Sequence, residues 1–276
     1  MAKILLIETS SEVCSTAISV DGVVVALSEN LDSQSHAALL TLQIRECSET
    51  AGIPLAQLDA VALSRGPGAY TALRVGASVA KGICYALEKP LIALDTLLAL
   101  AHASRMVTGD WEVVTGEWEL VIGGDPMSNI QYPISNVQYP PSYAKASAGK
   151  TSNVFIPALD ARRQEVWLAV YDEDLREIAP AQPLILENNM FEKFVSAKTG
   201  DVVLSGIVLA GNGMEKIRSG DFLEKVIFSG IIKCSARYLA ALAEQYFQIA
   251  DFQDIAYFEP IYMKPPNITT PTKAPF

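Results

Sequence analysis

The sequence predicts a duplicated α/β protein whose two halves share a layout, and three observations predict it. An apolar run at residues 3–8 ends in Glu8 and leads into a hairpin. A second run at 153–160 ends in Asp160 and again leads into a hairpin. The 276 residues exceed the roughly 100–200 of one domain. Half of them are hydrophobic and 19% charged, enough apolar material for two cores.

In the first half, Cys14 to Val20 and Val23 to Leu27 flank Asp21-Gly22, the strongest short-range hairpin signal. A helix is predicted from about Ser35, a candidate N-cap, to Ala51, with Gly52 as its stop. Leu39, Leu40, Leu42, Ile44 and Cys47 give it a broad apolar face. Asp59 to Leu63 reads as a buried strand entering a Gly-Pro-Gly loop, followed by a helix over Thr71–Leu87 that Lys89-Pro90 ends. Leu91 to Leu94 is a strand and Thr96 to Ser104 a helix, so residues 1–105 form one α/β unit.

Residues 106–152 change character: TGDWEV recurs as TGEWEL and NIQYP as NVQYP. This stretch is expected to be a low-complexity insertion without regular structure beyond one irregular hairpin. Residues 153–276 then repeat the opening, with strands at 153–160, 164–171 and 175–178 and a further strand at 202–210. The turn Gly211-Asn212-Gly213 follows, then a helix from Ser235 to Phe247; the tail from Pro265 is expected to fray. Two α/β halves, each opening with a strand, an acidic residue and a hairpin, point to the actin-like (ASKHA, ribonuclease H-like) duplicated fold in two domains.

Lys and Arg number 21 against 31 Asp and Glu, a formal charge of −10, the reverse of the basic footprint of a protein that grips nucleic acid alone. Cys14, Cys47, Cys84 and Cys234 are far apart with no CxxC pair, so neither a zinc ribbon nor a disulfide framework is indicated. The N-terminal apolar run is too short for a signal sequence and no stretch approaches the ~20 apolar residues of a membrane span; a cytoplasmic, soluble protein with no membrane partner is expected. His36 and His102 are not at metal-ligand spacing and no GxSxG elbow exists, so neither a histidine metal site nor hydrolase chemistry is supported.

The residues that could carry chemistry lie where strands end. Glu8-Thr9-Ser10-Ser11 is either a polar turn or a phosphate-facing loop, with Glu8 and Ser10 as the candidates. In SRGPGAYTALRVG, Gly66 and Gly68 allow a close turn, Thr71 could cap the helix and Arg74 could assist an anion at its N-terminus. The spacing is neither a Walker A nor a dinucleotide motif. Asp160 and Arg162, in DARRQEVW, are either surface-hairpin charges or the face of a cleft opposite Glu8. Ala72, Gly76, Ala80 and Cys84 form a stripe of small residues that suits close packing on the chain's own sheet or on a partner helix; Gly76 and Gly82 each cost about 1 kcal/mol relative to Ala, which close packing should offset.

ILLIETS, SHAALL, SRGPGAYTALRVGASVAKG, DARRQEVW and EPIYMKP, taken in this order, resemble the TsaB (YeaZ) family. The resemblance implies a non-catalytic, actin-like subunit that activates a TsaD-like paralogue in forming N6-threonylcarbamoyladenosine at position 37 of tRNA. It implies a TsaE-like ATPase as a further partner, a homodimer when alone, and tRNA contacted only indirectly. No cofactor is firmly implied beyond ATP or ADP at the complex interface. The family's partner helices correspond to about Ser35–Ala51 and Thr71–Leu87, which makes His36, Leu39, Leu40, Thr71, Ala72, Val75, Gly76, Val79 and Ala80 the candidate interface. The insertion departs from the family pattern, as does Ala69-Tyr70 where Ser-Phe is commoner. The competing reading is a free-standing ATPase or small-molecule kinase using Glu8, Ser10 and Asp160; a protease has no nucleophile or metal pair to support it.

Overall fold

The structure, a computed structural model, describes residues 1–30, 36–108, 152–200, 204–218 and 226–264. Strands β1 (Lys3–Glu8), β2 (Cys14–Val20) and β3 (Val23–Asn30) precede helix α1 (His36–Ala51), β4 (Ala60–Gly66), α2 (Tyr70–Leu87), β5 (Leu91–Asp95) and α3 (Thr96–Thr108). The order then repeats: β6 (Ser152–Asp160), β7 (Glu165–Tyr171), β8 (Glu177–Ile185), α4 (Met190–Thr199), β9 (Leu204–Ala210), α5 (Met214–Arg218), β10 (Val226–Phe228), and, after a 3-10 turn at Ala236–Leu239, α6 (Ala240–Gln248).

The two sheets have one topology, β3-β2-β1-β4-β5 and β8-β7-β6-β9-β10. In each, the first three strands run antiparallel and the last three parallel, with Glu8 opposite Ser15 and Asp160 opposite Val166. Asp21 and Gly22 take φ 49° and 75°, the left-handed pair that closes the β2–β3 hairpin as Asp-Gly dictates. This is the actin-like duplicated fold.

Each sheet is covered on both faces. Helices α1 and α2 seal the outer face of the first sheet around Leu5, Ile7, Leu40, Val61 and Leu63; α4 and α5 seal the second around Ile156, Val170, Phe194 and Leu209. The inner faces are covered by exchange. Leu97, Leu100, Ala101 and Ala103 of α3 pack on Phe155, Leu159, Ala169 and Val208 of the second sheet. Ala240, Leu242 and Ala243 of α6 pack on Ile4, Leu6, Ala62 and Leu94 of the first. Glu29 adds a polar tie: it accepts from the Ser15 hydroxyl at 2.8 Å and the Ser235 hydroxyl at 2.5 Å, and lies 3.8 Å from the Arg237 guanidinium.

Several boundaries differ from the sequence reading. The strand expected at 175–178 begins at Glu177 and continues through Pro180 and Pro183, because β8 is an edge strand whose outer side needs no N–H donors. Leu175 instead turns the chain at φ 60°. The helix expected from Ser235 starts as the 3-10 turn, and Ser235 does cap it, its Oγ accepting from the Arg237 N–H at 3.3 Å. Helices α4 and α5 and strand β10 were not anticipated. α3 runs on to Thr108 and β6 opens at Ser152; Ser35, the rest of the expected insertion and the Pro/Thr tail lie outside the described residues. Among the described residues no helix is long and apolar enough to cross a membrane.

Candidate functional site

A cleft of about 930 Å³ opens where the two halves meet. Its walls are the loop after β1, the amino end of α2, the turn between β6 and β7, the loop after β9, and the segment Tyr262–Lys264. Of the residues the sequence offered for phosphate or cleft chemistry, Ser10, Gly68, Asp160 and Arg162 line it; Glu8, Gly66 and Arg74 do not.

Glu8 turns inward. Its carboxylate accepts from the Ser10 N–H at 2.6 Å and the Ser64 hydroxyl at 2.9 Å, and the residue is 1% exposed. Burial raises its pKa against those hydrogen bonds, which pull the other way. The expected pairing of Glu8 with Asp160 across the cleft is therefore replaced by another: Asn212 reaches over, donating to Glu12 at 2.9 Å while its side-chain oxygen accepts from the Asp160 N–H at 2.9 Å. In the sequence Asn212 reads only as part of a turn.

The Gly-Pro-Gly loop is a structural clamp. A Cβ on Gly68 would stand 2.3 Å from the Ser10 carbonyl oxygen, and the Ala69 N–H donates to that carbonyl at 2.7 Å, so the loop lies directly on the β1–β2 connection. Gly66 faces the Ile261 carbonyl at 2.6 Å, measured from an added Cβ, where the chain returns to bond Arg65. Thr71 does not cap α2: the N-cap is Ala69, which has no side-chain cap, so Thr71 sits exposed in the first turn. Arg74 folds back on Tyr70, donating to its hydroxyl at 3.0 Å and lying 5.4 Å over its ring. Tyr70 in turn stacks on Tyr262 at 4.6 Å, and Lys264 bonds Glu165, so the 262–264 segment links both walls.

Asp160 Oδ1 binds the Lys216 ammonium at 2.5 Å and the Arg162 N–H at 2.6 Å. Beside it, Arg162 and Arg163 occupy φ 68° and 50°, consecutive left-handed positions that cost of order 1 kcal/mol or more each for residues with a Cβ. A metal-bound nucleotide, which the fold family implies for such a cleft, does not fit these residues: the β1 carboxylate is buried and hydrogen-bonded away, and the β6 carboxylate is held by a lysine. The free-standing ATPase or kinase reading loses the two carboxylates it required.

A family model described as TsaD, tRNA N6-adenosine threonylcarbamoyltransferase, matches residues 26–115. The chain is 36% identical over 101 residues to the tRNA threonylcarbamoyladenosine biosynthesis protein TsaB of Haemophilus influenzae, covering 37% of this chain and 42% of that protein. It is 34% identical over 102 residues to TsaB of Escherichia coli, covering 37% and 44%. The fold matches YeaZ from Pseudomonas aeruginosa with a TM-score of 0.66 at 20% identity, over 95% of this chain and 100% of that one. Over part of its length the chain is thus similar to TsaB proteins of tRNA threonylcarbamoyladenosine biosynthesis, and its fold is that of YeaZ. The aligned stretch spans less than half the length of the curated TsaB relatives. It is also 41% identical over 75 residues to the tRNA N6-adenosine threonylcarbamoyltransferase of Symbiobacterium thermophilum, 27% of this chain and 22% of that enzyme.

In this TsaB-like chain the small-residue stripe faces inward. Ala72, Gly76, Ala80 and Cys84 are buried on the first sheet, and a Cβ on Gly76 would stand 2.4 Å from the Thr9 hydroxyl. His36 and Leu40 are buried as well. These five of the nine candidate interface residues and Cys84 belong to the chain's own core; their spacing reports a close helix-to-sheet contact. Thr71 is exposed, and Leu39, Val75 and Val79 are half-buried. The surface that α2 presents is instead Thr71, Arg74, Ser78, Gly82 and Tyr85, at helical three- and four-residue steps. Gly82 has no atom within 4 Å of an added Cβ, so no internal packing offsets its cost.

Proposed function

We propose that the chain is the non-catalytic partner of a TsaD-like threonylcarbamoyltransferase, binding and activating it for formation of N6-threonylcarbamoyladenosine at position 37 of tRNA. The observation that carries this reading is that residues 26–115, which contain α1 and α2, match the family model described as TsaD, while the chain also has stretches 36% identical to a TsaB protein and 41% identical to a threonylcarbamoyltransferase. Two chains sharing such a half can pair through the same helices, as related subunits do about a pseudo-twofold axis. The outer face of that pair offers Leu42, 48% exposed, on α1 and the Thr71-to-Tyr85 stripe on α2, with Tyr85 80% exposed. On this reading a second copy competes for the same face when the chain is alone, a TsaE-like ATPase joins the pair, and the −10 charge leaves tRNA mainly to the partner.

The test is size-exclusion chromatography of the chain with its cognate TsaD-like protein. Leu42→Arg and Ser78→Arg, both on exposed positions, should abolish the heterodimer and leave the chain folded. Failure of the unmodified chain to bind overturns the reading; a complex that survives both variants moves the interface off α1 and α2.

A further inference from the structure

We propose that the segment after α6, residues 253–264, is a latch that holds the mouth of the interlobe cleft closed, with the Lys264–Glu165 ion pair as its releasable catch. Most of the segment is fixed to the first half. The Gln253 N–H donates to the Leu91 carbonyl at 2.8 Å in an antiparallel bridge at the edge of β5, and Phe258 is buried in the core that α1 and α2 seal. The Lys81 ammonium of α2 donates to the Ala256 and Phe258 carbonyls at 3.4 and 3.2 Å. At Ile261 the N–H donates to the Arg65 carbonyl at 2.7 Å, while the Ile261 carbonyl oxygen lies 2.6 Å from where a Cβ on Gly66 would stand. Gly66, at φ 111°, is thus the seat of this backbone, and a side chain there would lift it off.

Beyond Ile261 the chain leaves the anchor and crosses the mouth. Tyr262 stacks on Tyr70 at the amino end of α2, and Lys264 pairs with Glu165 at the start of β7 in the second half. The Glu165 carbonyl accepts from Lys216 at 3.2 Å, and Lys216 holds Asp160, so the catch sits on a braced wall. The two ends of the segment differ in kind. The anchor consists of a buried aromatic ring and backbone hydrogen bonds. The catch is one pair of side chains, Lys264 45% and Glu165 16% exposed, and an ion pair so placed changes an equilibrium by a factor of about two to five and is screened by salt. A firm anchor with a weak catch opens at one end. Because α3 and α6 bind the inner faces together by exchange, release frees the mouth and leaves the base joined. The inference stands on this segment alone and does not depend on partner binding.

Spin-label distances across the mouth of the full chain test it. Cys14, Cys47, Cys84 and Cys234 are buried, so Thr71→Cys and Arg163→Cys, exposed on facing walls, take the labels selectively. The labelled chain should show one dominant distance. Lys264→Ala and Glu165→Gln should each raise the population of a longer distance by about two- to fivefold, and about 1 M salt should do the same to the unlatched extent. Lys264→Arg, which keeps the charge, should match the parent, and the melting temperature should hold in all three variants because the anchor is untouched. A distribution unchanged in both Lys264→Ala and Glu165→Gln overturns the proposal. So does a longer distance that grows as much in Lys264→Arg as in Lys264→Ala, since the ion pair would then not be the catch.

Discussion

The two halves share strand order, direction and the close seating of a glycine loop on the first strand's exit, yet their second helices differ greatly. Among the described residues α2 has 18 and α5 has five. In the first half Gly68 lies on Ser10; in the second, Gly213 lies on Ala158 and Leu159, with its N–H bonded to the Ala158 carbonyl at 2.9 Å. The hydrogen-bond lattice of a sheet tolerates little change, because every displaced strand leaves backbone groups unpaired. A helix outside the sheet need only cover apolar surface, and its length is free to diverge. The first half has thus kept a long outer helix with an exposed stripe, while the second puts its distinctive feature, the Arg162–Arg163 turn, on the cleft.

The sharpest break of that comparison is at the shared glycines. Gly68→Ala and Gly213→Ala each drive a Cβ into backbone atoms, at 2.3 and 2.8 Å, and each should cost about 3 kcal/mol or more in denaturant unfolding. If one is tolerated, the loops are not equivalent. The next effect belongs to the first half alone. Burial pushes the His102 imidazole of α3 down from 6.5 to about 4, so the unfolded chain takes up a proton that the folded chain refuses as pH falls through that window. The stability lost should be up to about 3 kcal/mol, and thermal melts of His102→Gln across pH 4 to 7 should show that loss removed. Glu29→Ala, which cuts the tie between the halves, should cost about 2 kcal/mol and separate their unfolding transitions if the tie makes them cooperative. Smallest is Gly82→Ala, which fills open space on the exposed face of α2 and should raise stability by about 1 kcal/mol while leaving Gly76 as the intolerant site of the same helix.

How far the sequence speaks depends on whether a signal is local. Asp21-Gly22, Gly52 at φ 63° and the Ser235 cap are local chemistry, and all three act as read. The matched exits of β1 and β6 disclosed the duplication. The spacing of Ala72, Gly76 and Ala80 disclosed a close contact but not its direction, because a four-residue period is the same whether the stripe meets a sheet or another chain. α5 and β10 are too short to show a period, and the prolines of β8 obscure a strand that only its edge position permits. In the cleft, Ser10, Gly68, Asp160 and Arg162 were legible from strand ends. Tyr70, Trp167, Asn212, Tyr262 and Lys264 come together only in three dimensions, and no spacing along the chain announces them.

The reciprocal placement of α3 and α6 sets an order of events during synthesis. When α3 leaves the ribosome, the strands it will cover, β6 and β9, have not been made, and the inner face of the first sheet, with Ile4, Leu6, Ala62 and Leu94, awaits a helix encoded after the whole second sheet. The nascent first half therefore carries an uncovered apolar surface through most of translation, a natural client for a chaperone near the exit tunnel. Fragments divided between the halves should for the same reason be poorly soluble apart and recover when expressed together.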